Sequence, residues 1–322
     1  MSGPVSSPMS ASQSLSWKTV VPIDNHAGQR RLGYLAAFAT VLIWSSYFMS
    51  LRLGALSPLS TLDLTLFRFA VPGLLLAPWF WRRRAQLLAV PRLWQLGMLV
   101  GGGVPFFLLG AYAMHWAPVA HGSTLIPGVA PLFVTLLAVG LFAQPLTRNK
   151  RIGLGSIALG VAALLLTSWQ QANAELAQGQ GLFLIASLFW AVFTLSVRQS
   201  GLAPLDVAAW VTVPSSAVLL VWAAVEWPSL FVFQVSWQQW LPQLLVQGLA
   251  VGLGAGFLYG YAIRQLGAEI TSAIGSLTPV LATVVAAVFL QETVEFSTLV
   301  GLFLVALGVL FASGLFPERR SN

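Results

Sequence analysis

The sequence predicts an all-α polytopic membrane protein with ten transmembrane helices, arranged as two inverted five-helix repeats. Three observations predict it. The 322 residues are 57% hydrophobic and only 8% charged, with a mean hydropathy of +0.82. A soluble domain carries roughly a quarter charged residues, so this chain has too little charge to solvate a globular surface. Ten apolar stretches lie near the roughly 20 residues that cross a bilayer as a helix. Finally, the second half repeats the first: Pro131 falls on Pro279, Gln144 on Glu292, Gly153 on Gly301 and Gly160 on Gly308, all at a shift of 148 residues. Repeats decide architecture before local detail does.

Taken in order, residues 1–31 open Ser/Pro-rich and read as a disordered tail. Arg30-Arg31 before an apolar run has the look of a secretory signal, but the run is long and lacks a small-x-small cleavage site, so it reads as a retained helix. The spans follow at 32–51, 59–81, 93–114, 117–141 and 152–169, then at 181–200, 204–227, 241–263, 267–290 and 298–316. The first unit is therefore 32–169, the second 181–316, and 317–322 is a short tail. A cytoplasmic N-terminus puts every one of the 16 lysines and arginines inside, except Arg52 outside and Arg68 within span two. That bias is the positive-inside signal of a multi-pass protein of the cell membrane, with both termini cytoplasmic.

Gly33, Trp44 and Pro58 match Gly179, Trp190 and Pro204 at a shift of 146, so each unit holds five spans. Five is odd, and the second copy enters the membrane upside down. The loop after span four carries Arg148, Lys150 and Arg151; its counterpart after span nine carries Glu292 and Glu295 and neither Lys nor Arg. Inverted repeats about an in-plane pseudo-two-fold axis are a signature of secondary transporters with alternating access.

The ordered set Trp44-Ser45-Ser46-Tyr47-Phe48, Arg68-Phe69, Pro127-Gly128-Val129-Ala130-Pro131-Leu132, Gly153 and Gly160 carries a resemblance. So do Tyr261 through Ala268, Pro279, Glu292, Gly301 and Gly308 in the second unit. Over about residues 32–316 the chain resembles the EamA-type family of the drug/metabolite transporter superfamily. One departure stands out: the family's Leu-x-x-Glu at the end of span four reads Leu141-Phe142-Ala143-Gln144 here, so only Glu292 keeps the acid. The resemblance implies export or exchange of small organic solutes, often amino acids and other metabolites, by alternating access.

Other classes are disfavoured. The basic residues sit singly or in short runs between spans, which is no nucleic-acid patch. Lys18 and Lys150 are the only lysines and no Gly-x-x-x-x-Gly-Lys loop is present, so ATP is not expected to drive it. Three histidines, no cysteine and no His-Glu-x-x-His leave no metal, cofactor or enzymatic site to expect. The expected partners are a small-molecule substrate and the lipid bilayer. A lipid-facing flippase of the same fold, which a groove open sideways would favour, and an uptake permease are the rival readings.

Within the spans, Arg68 lies near the middle of span two. A centred arginine costs roughly 2.5–3.5 kcal/mol on insertion scales and should face a cavity or partner. It reads either as an anchor for a substrate carboxylate or as a hydrogen-bonder to backbone carbonyls. Asp63, five residues earlier, turns away from it on a helix. His121 and Glu269 are repeat equivalents and read as a pair of proton-coupling groups, one near each gate; the alternative, two interfacial residues wetted by headgroups, is the favoured one, since helix ends tolerate polar groups cheaply. Trp44, Tyr47, Tyr112, Trp190, Tyr259 and Tyr261 lie inside spans, where a hydroxyl or indole N–H needs a partner, and are the candidates to line a substrate cavity, against ordinary helix packing. Gly248, Gly252, Gly256 and Gly260 form a ridge for close helix approach, within one chain or in a homodimer. Gly101 and Pro105 mark a hinge or half-helix break in span three, Pro127 and Pro131 a kink in span four, and Pro279 its repeat equivalent in span nine.

Overall fold

The computed structural model describes residues 27–313; of these, the side chains of Ala27, Ala268 and Glu269 are outside the described set. The tails expected at 1–31 and 317–322 lie outside the described residues, apart from 27–31, which are helical. The first unit runs α1 (Ala27–Ala55), α2 (Thr61–Leu88), α3 (Arg92–Gly102), α4 (Val104–Ala113), α5 (Val119–Phe142) and α6 (Arg148–Gln170). The second runs α7 (Ala174–Ser200), α8 (Pro204–Val225), α9 (Trp237–Gln243), a π-helical segment (Leu244–Ala255), α10 (Gly256–Leu266), α11 (Ala268–Gly275), α12 (Leu277–Phe289) and α13 (Phe296–Ala312). Among the described residues, nine helical segments are long and apolar enough to cross a membrane, and α13 is a tenth, shorter apolar helix of 17 residues.

Local chemistry sets the helix starts. α2 opens with a capping box: Ser60 Oγ accepts from the Asp63 amide at 3.1 Å and Asp63 Oδ2 accepts from the Ser60 amide at 2.9 Å, which satisfies two orphan donors of the first turn. Asp63 also accepts from the Phe231 and Val232 amides at 3.0 and 3.3 Å, tying the segment before α9 to the start of α2. The acid is thus committed away from Arg68, as its spacing predicts. Asn173 Oδ1 caps α7 through the Leu176 amide at 2.9 Å, so span six begins at 174 and not at 181. α2 likewise continues to Leu88 instead of stopping at 81. Arg83 reaches Asp206 Oδ2 at 3.4 Å and Trp79 Nε1 donates to Asp206 Oδ1 at 2.9 Å, which holds this end of α2 against α8.

Three spans are interrupted. Span three breaks at Gly103, which is extended (φ −94°, ψ −153°), with Pro105 in the first turn of α4. The expected half-helix break is therefore present. It is wedged on α7: a Cβ at Gly101 would lie 2.3 Å from the Phe189 carbonyl oxygen. Span nine breaks between α11 and α12, three residues before Pro279, which the sequence marks as a hinge or packing position. Span eight changes from α to π and back, against expectation. Its glycine ridge serves two neighbours: Gly248 and Gly252 lie against Phe67 O and Pro72 of α2, and Gly260 against Pro204 of α8. Gly256 meets nothing within 4 Å, because the widened helix turns it out of the ridge. Pro127 and Pro131 lie inside one continuous helix, α5.

The repeats meet reciprocally. α6 and α13 pack backbone to backbone: a Cβ at Gly153 would lie 2.6 Å from Gly308 O, and one at Gly308 2.6 Å from Gly153 O. Gly160 and Gly301 repeat this, with 2.7 Å from Gly160 to Gly301 O and 2.9 Å in return. Exchanging the units turns the first contact into the second. Ser156 Oγ donates to Leu304 O at 2.7 Å, and these two residues are themselves repeat equivalents, so the relation maps this contact onto its own position. Gly33 against Gln265 (2.7 Å) and Gly179 against Ala117 (2.8 Å) form another exchanged pair. Matched contacts of this kind are what a two-fold relation between the units requires.

Candidate functional site

Three groups of polar residues between the units stand out among the described residues. The first surrounds Arg68. On α1, Trp44, Tyr47 and Leu51 share a face, with Ser50 beside them. On α2, Arg68 lies about two turns from the helix start, not at its middle, because α2 runs on through Arg82–Arg84. Its guanidinium carbon sits 5.7 Å from the centroid of the Tyr47 ring and 5.7 Å from that of Phe69, within cation–π range. Arg68 Nη1 donates to the Gln247 carbonyl in the π segment at 3.3 Å. Gln247 Nε2 donates to Ser50 Oγ at 3.0 Å, Ser50 Oγ donates to Gln243 Oε1, and Gln243 Nε2 donates to Ser50 O at 2.8 Å. Two atoms are buried without a partner: the Tyr47 hydroxyl and Gln247 Oε1. A guanidinium carries five N–H donors, and among the described residues Arg68 spends one on protein. The expected bond to a backbone carbonyl is therefore present.

Aromatic residues flank this group. Trp44 packs on Tyr259 of α10 with centroids 4.9 Å apart. Its repeat equivalent Trp190 packs on Phe106 of α4 at 5.3 Å and on Phe193 at 5.0 Å. Each tryptophan therefore reaches into the other unit. The remaining two aromatic candidates are elsewhere. Tyr112 is 43% exposed and lies beside His115, and Tyr261 lies under Arg264 at 5.8 Å. Both sit near helix ends, where their rings face outward or pair with a neighbouring side chain.

The second group joins α1, α5 and α12 at the end of the bundle that carries Arg52. Arg52 Nε pairs with Glu292 Oε1 at 2.8 Å, and its Nη1 donates to the Met114 carbonyl. Glu292 Oε2 accepts from the Val119 amide at 3.0 Å, in the first turn of α5. A carboxylate is stabilised there by unsatisfied amides and the helix dipole. Gln291 just before it is left-handed (φ 54°), as is its repeat equivalent Ala143 (φ 49°) before Gln144, so the same turn occurs twice and carries an acid once. His115, in the turn after α4, is held below the ordinary imidazole value by burial first and by the positive charge of Arg52 second.

The third group surrounds His121, which is 2% exposed and not wetted by headgroups. Gln180 Nε2 lies 3.1 Å from His121 Nδ1 and donates to Leu164 O at 2.8 Å, while Thr298 Oγ1 lies 3.1 Å from His121 Nε2. The Leu164 carbonyl accepts only, so the Gln180 amide must turn its NH2 this way. His121 Nδ1 is then the acceptor and Nε2 carries the proton, a neutral tautomer donating to Thr298. A proton on Nδ1 would face an N–H donor. His121→Gln is therefore expected to leave the pH profile of transport between about pH 5 and 8 unchanged. It should lower stability by about 1 kcal/mol per lost hydrogen bond, readable as a drop in thermal midpoint. The side chain of Glu269, its expected partner in proton coupling, lies outside the described residues.

Ser50, Gln243, Gln247 and Thr298 were not singled out in the sequence, and Arg52 only as the one basic residue placed outside. Gln243 and Gln247, amides four apart inside an apolar span and hence on one helix face, were the available signal.

A duplicated bundle of apolar helices, with its polar side chains gathered between the halves, defines a multi-pass membrane protein. The model of the EamA-like transporter family matches residues 31–166 and 177–314, so the chain belongs to that family. No curated protein matches the chain. Solved structures share the fold: one, described only as a crystal structure of a protein, aligns with a TM-score of 0.58 at 18% identity, covering 89% of this chain and 98% of its own.

Proposed function

We propose that the protein is a secondary exporter of amino-acid-like or other zwitterionic metabolites, working by alternating access between its two units, with the substrate carboxylate held by Arg68. In this reading it lies in the cell membrane with both termini cytoplasmic, so the Arg52 end faces outward. The observation that carries the reading is the Arg68 group, where α1 and α2 of the first unit meet the π segment of the second. A guanidinium grips a carboxylate bidentately, and the unpartnered Tyr47 hydroxyl is a further donor beside it. Gln247 Oε1 is an unpartnered acceptor in the same group, suited to an ammonium N–H. Donors and an acceptor side by side match a zwitterion; a bare anion would leave the Gln247 oxygen buried and unanswered, at a cost of about 1–3 kcal/mol. Trp44 and Tyr259 supply an apolar wall. Sites at the interface of two repeats are where secondary transporters bind. The solute's own gradient or a proton gradient drives the cycle, and the outward direction follows the family resemblance.

The test compares the medium of cells expressing wild type, Arg68→Ala and Arg68→Lys at equal membrane abundance, by untargeted mass spectrometry. A zwitterionic metabolite class should accumulate with wild type. Arg68→Ala should lower it more than tenfold, as expected when a charge-assisted contact of about 2 kcal/mol is lost. Arg68→Lys should recover part of it, since lysine keeps the charge and loses the fork. Equal accumulation with wild type and Arg68→Ala would leave Arg68 a structural residue, and no accumulation with wild type would overturn export.

A further inference from the structure

We propose that the substrate is an amphiphile, a zwitterionic head on an apolar tail, and that it leaves the Arg68 group sideways into the outer leaflet through a groove between α1 and α12. The inference rests on the reading of that group as the substrate site. A cleft of about 230 Å³ lies between α1, the helix end carrying Pro242 and Gln243, and α12. Its floor holds Ser45, Ser50 and Gln243, all buried. Ser50 and Gln243 are bonded to each other, and Gln247 bonds to Ser50 and takes the Arg68 guanidinium on its carbonyl. The cleft floor and the Arg68 group are therefore one hydrogen-bonded system. Its rim is apolar and open to the bundle's outside, with Leu42 58% and Leu53 44% exposed.

A second hollow of about 400 Å³ adjoins the first, sharing Leu42 and Leu281. It runs between Phe38 and Val41 on α1 and Val280 and Val284 on α12, and its walls are wholly apolar. The combined groove follows α1 from Phe38 to Leu53, about 22 Å at 1.5 Å per residue. Polar and apolar parts are thus separated along the membrane normal. The serine and glutamine floor lies toward the Arg52 end, and the apolar hollow lies deeper. An outer-leaflet lipid has the same order, head above and tail toward the bilayer centre. A small, fully polar solute would leave the apolar hollow unused, and a plain hydrocarbon would leave the unpartnered Tyr47 hydroxyl and Gln247 Oε1 beyond the floor unanswered. An amphiphile released into the outer leaflet answers both.

The test uses the full-length protein in phosphatidylcholine vesicles and a photoreactive probe, 2-aminohexadecanoic acid with a diazirine on its tail, mapped by mass spectrometry after irradiation. Labelling should concentrate on α1 and α12 along the groove. Leu42→Trp, which fills the mouth from an exposed position, should reduce that labelling more than tenfold, and Leu281→Trp should do so from the opposite wall. Arg68→Gln should abolish the preference for the acid over the corresponding amino alcohol. Alanine, which has the head without the tail, should not compete. Labelling spread evenly over the lipid-facing helices and unaffected by either tryptophan would overturn the inference, as would equal competition by alanine or an acid preference that survives Arg68→Gln. The export assay separates the two readings. If Arg68→Ala stops export while both tryptophan variants transport normally, the site stands and the sideways route falls. If none of them changes export, the site falls as well.

Discussion

Replacing Gly160 with leucine (Gly160→Leu) is expected to destabilise the folded protein by about 3 kcal/mol, the upper part of the range for overpacking. That is a shift of roughly two orders of magnitude in the folding equilibrium. The reason is what the new side chain would meet. A Cβ at 160 lies 2.7 Å from Gly301 O, 2.7 Å from Val305 Cγ2 and 2.9 Å from the Val305 amide nitrogen. Two of these three atoms are backbone of α13 and cannot swing aside, so the helices must separate. Separation also breaks the reciprocal contact of Gly153 with Gly308 and loses van der Waals packing, which drives helix association in lipid. Gly155 is the control on the same helix: it meets nothing within 4 Å, and Gly155→Leu should be neutral or slightly stabilising through helix propensity. Thermal unfolding of the purified protein, read by the loss of the monodisperse peak on size exclusion, checks both. A Gly160→Leu protein as stable as wild type would refute the tight seam.

Glu292→Gln is expected to loosen the Arg52 end by about 2 kcal/mol, since it removes the charge from a carboxylate that holds both a guanidinium and a helix-terminal amide. Cysteines placed at the ends of α1 and α5 on that side should then react with a membrane-impermeant maleimide at least tenfold faster than in the Glu292 background. A reciprocal swap separates this arrangement from a simple ion pair. Arg52→Glu with Glu292→Arg restores the pair but turns a guanidinium on the Val119 amide, donor against donor and positive charge on the positive end of α5. The swap should therefore stay as reactive as Glu292→Gln. Recovery of wild-type protection would show that the Val119 contact contributes nothing.

Much of the fold was legible in the sequence because the signals were long and additive. Low charge, ten apolar runs and fixed shifts each average over many residues, and the glycines at 153, 160, 301 and 308 recur at the shift that the structure then explains by close helix contact. The break at Gly103 was legible for a local reason, since three glycines and a proline cannot sustain a helix. The break at Ser276 was legible in part, through Gly275 and through Pro279, whose missing amide frees the Gly275 carbonyl; the π segment was not, because π geometry depends on what a helix packs against. The site was half legible. A lone Arg68 in an apolar span announces itself, whereas Ser50, Gln243 and Gln247 matter only because α9 and the π segment fold back across α1. His121 was visible as a residue, but its tautomer is set by Gln180 and Leu164, which lie on other helices.

The seam between α6 and α13 also sorts contacts by whether they can survive a transport cycle. If each unit takes up the other's conformation, contacts that the exchange maps onto one another keep the same geometry throughout. Ser156 with Leu304, and the glycine pairs beside them, are of this invariant kind, so they act as a stationary pivot, and displacement grows with the lever arm from it. The Arg52–Glu292 pair is of the other kind. Exchange carries it to Arg198 and Gln144, where an amide replaces the acid. The charge pair that joins the units at the opposite end is a different one, Arg83 with Asp206. The two ends of the bundle are thus latched by unlike chemistry, one by an acid on a helix-terminal amide and the other by an acid shared between an arginine and an indole.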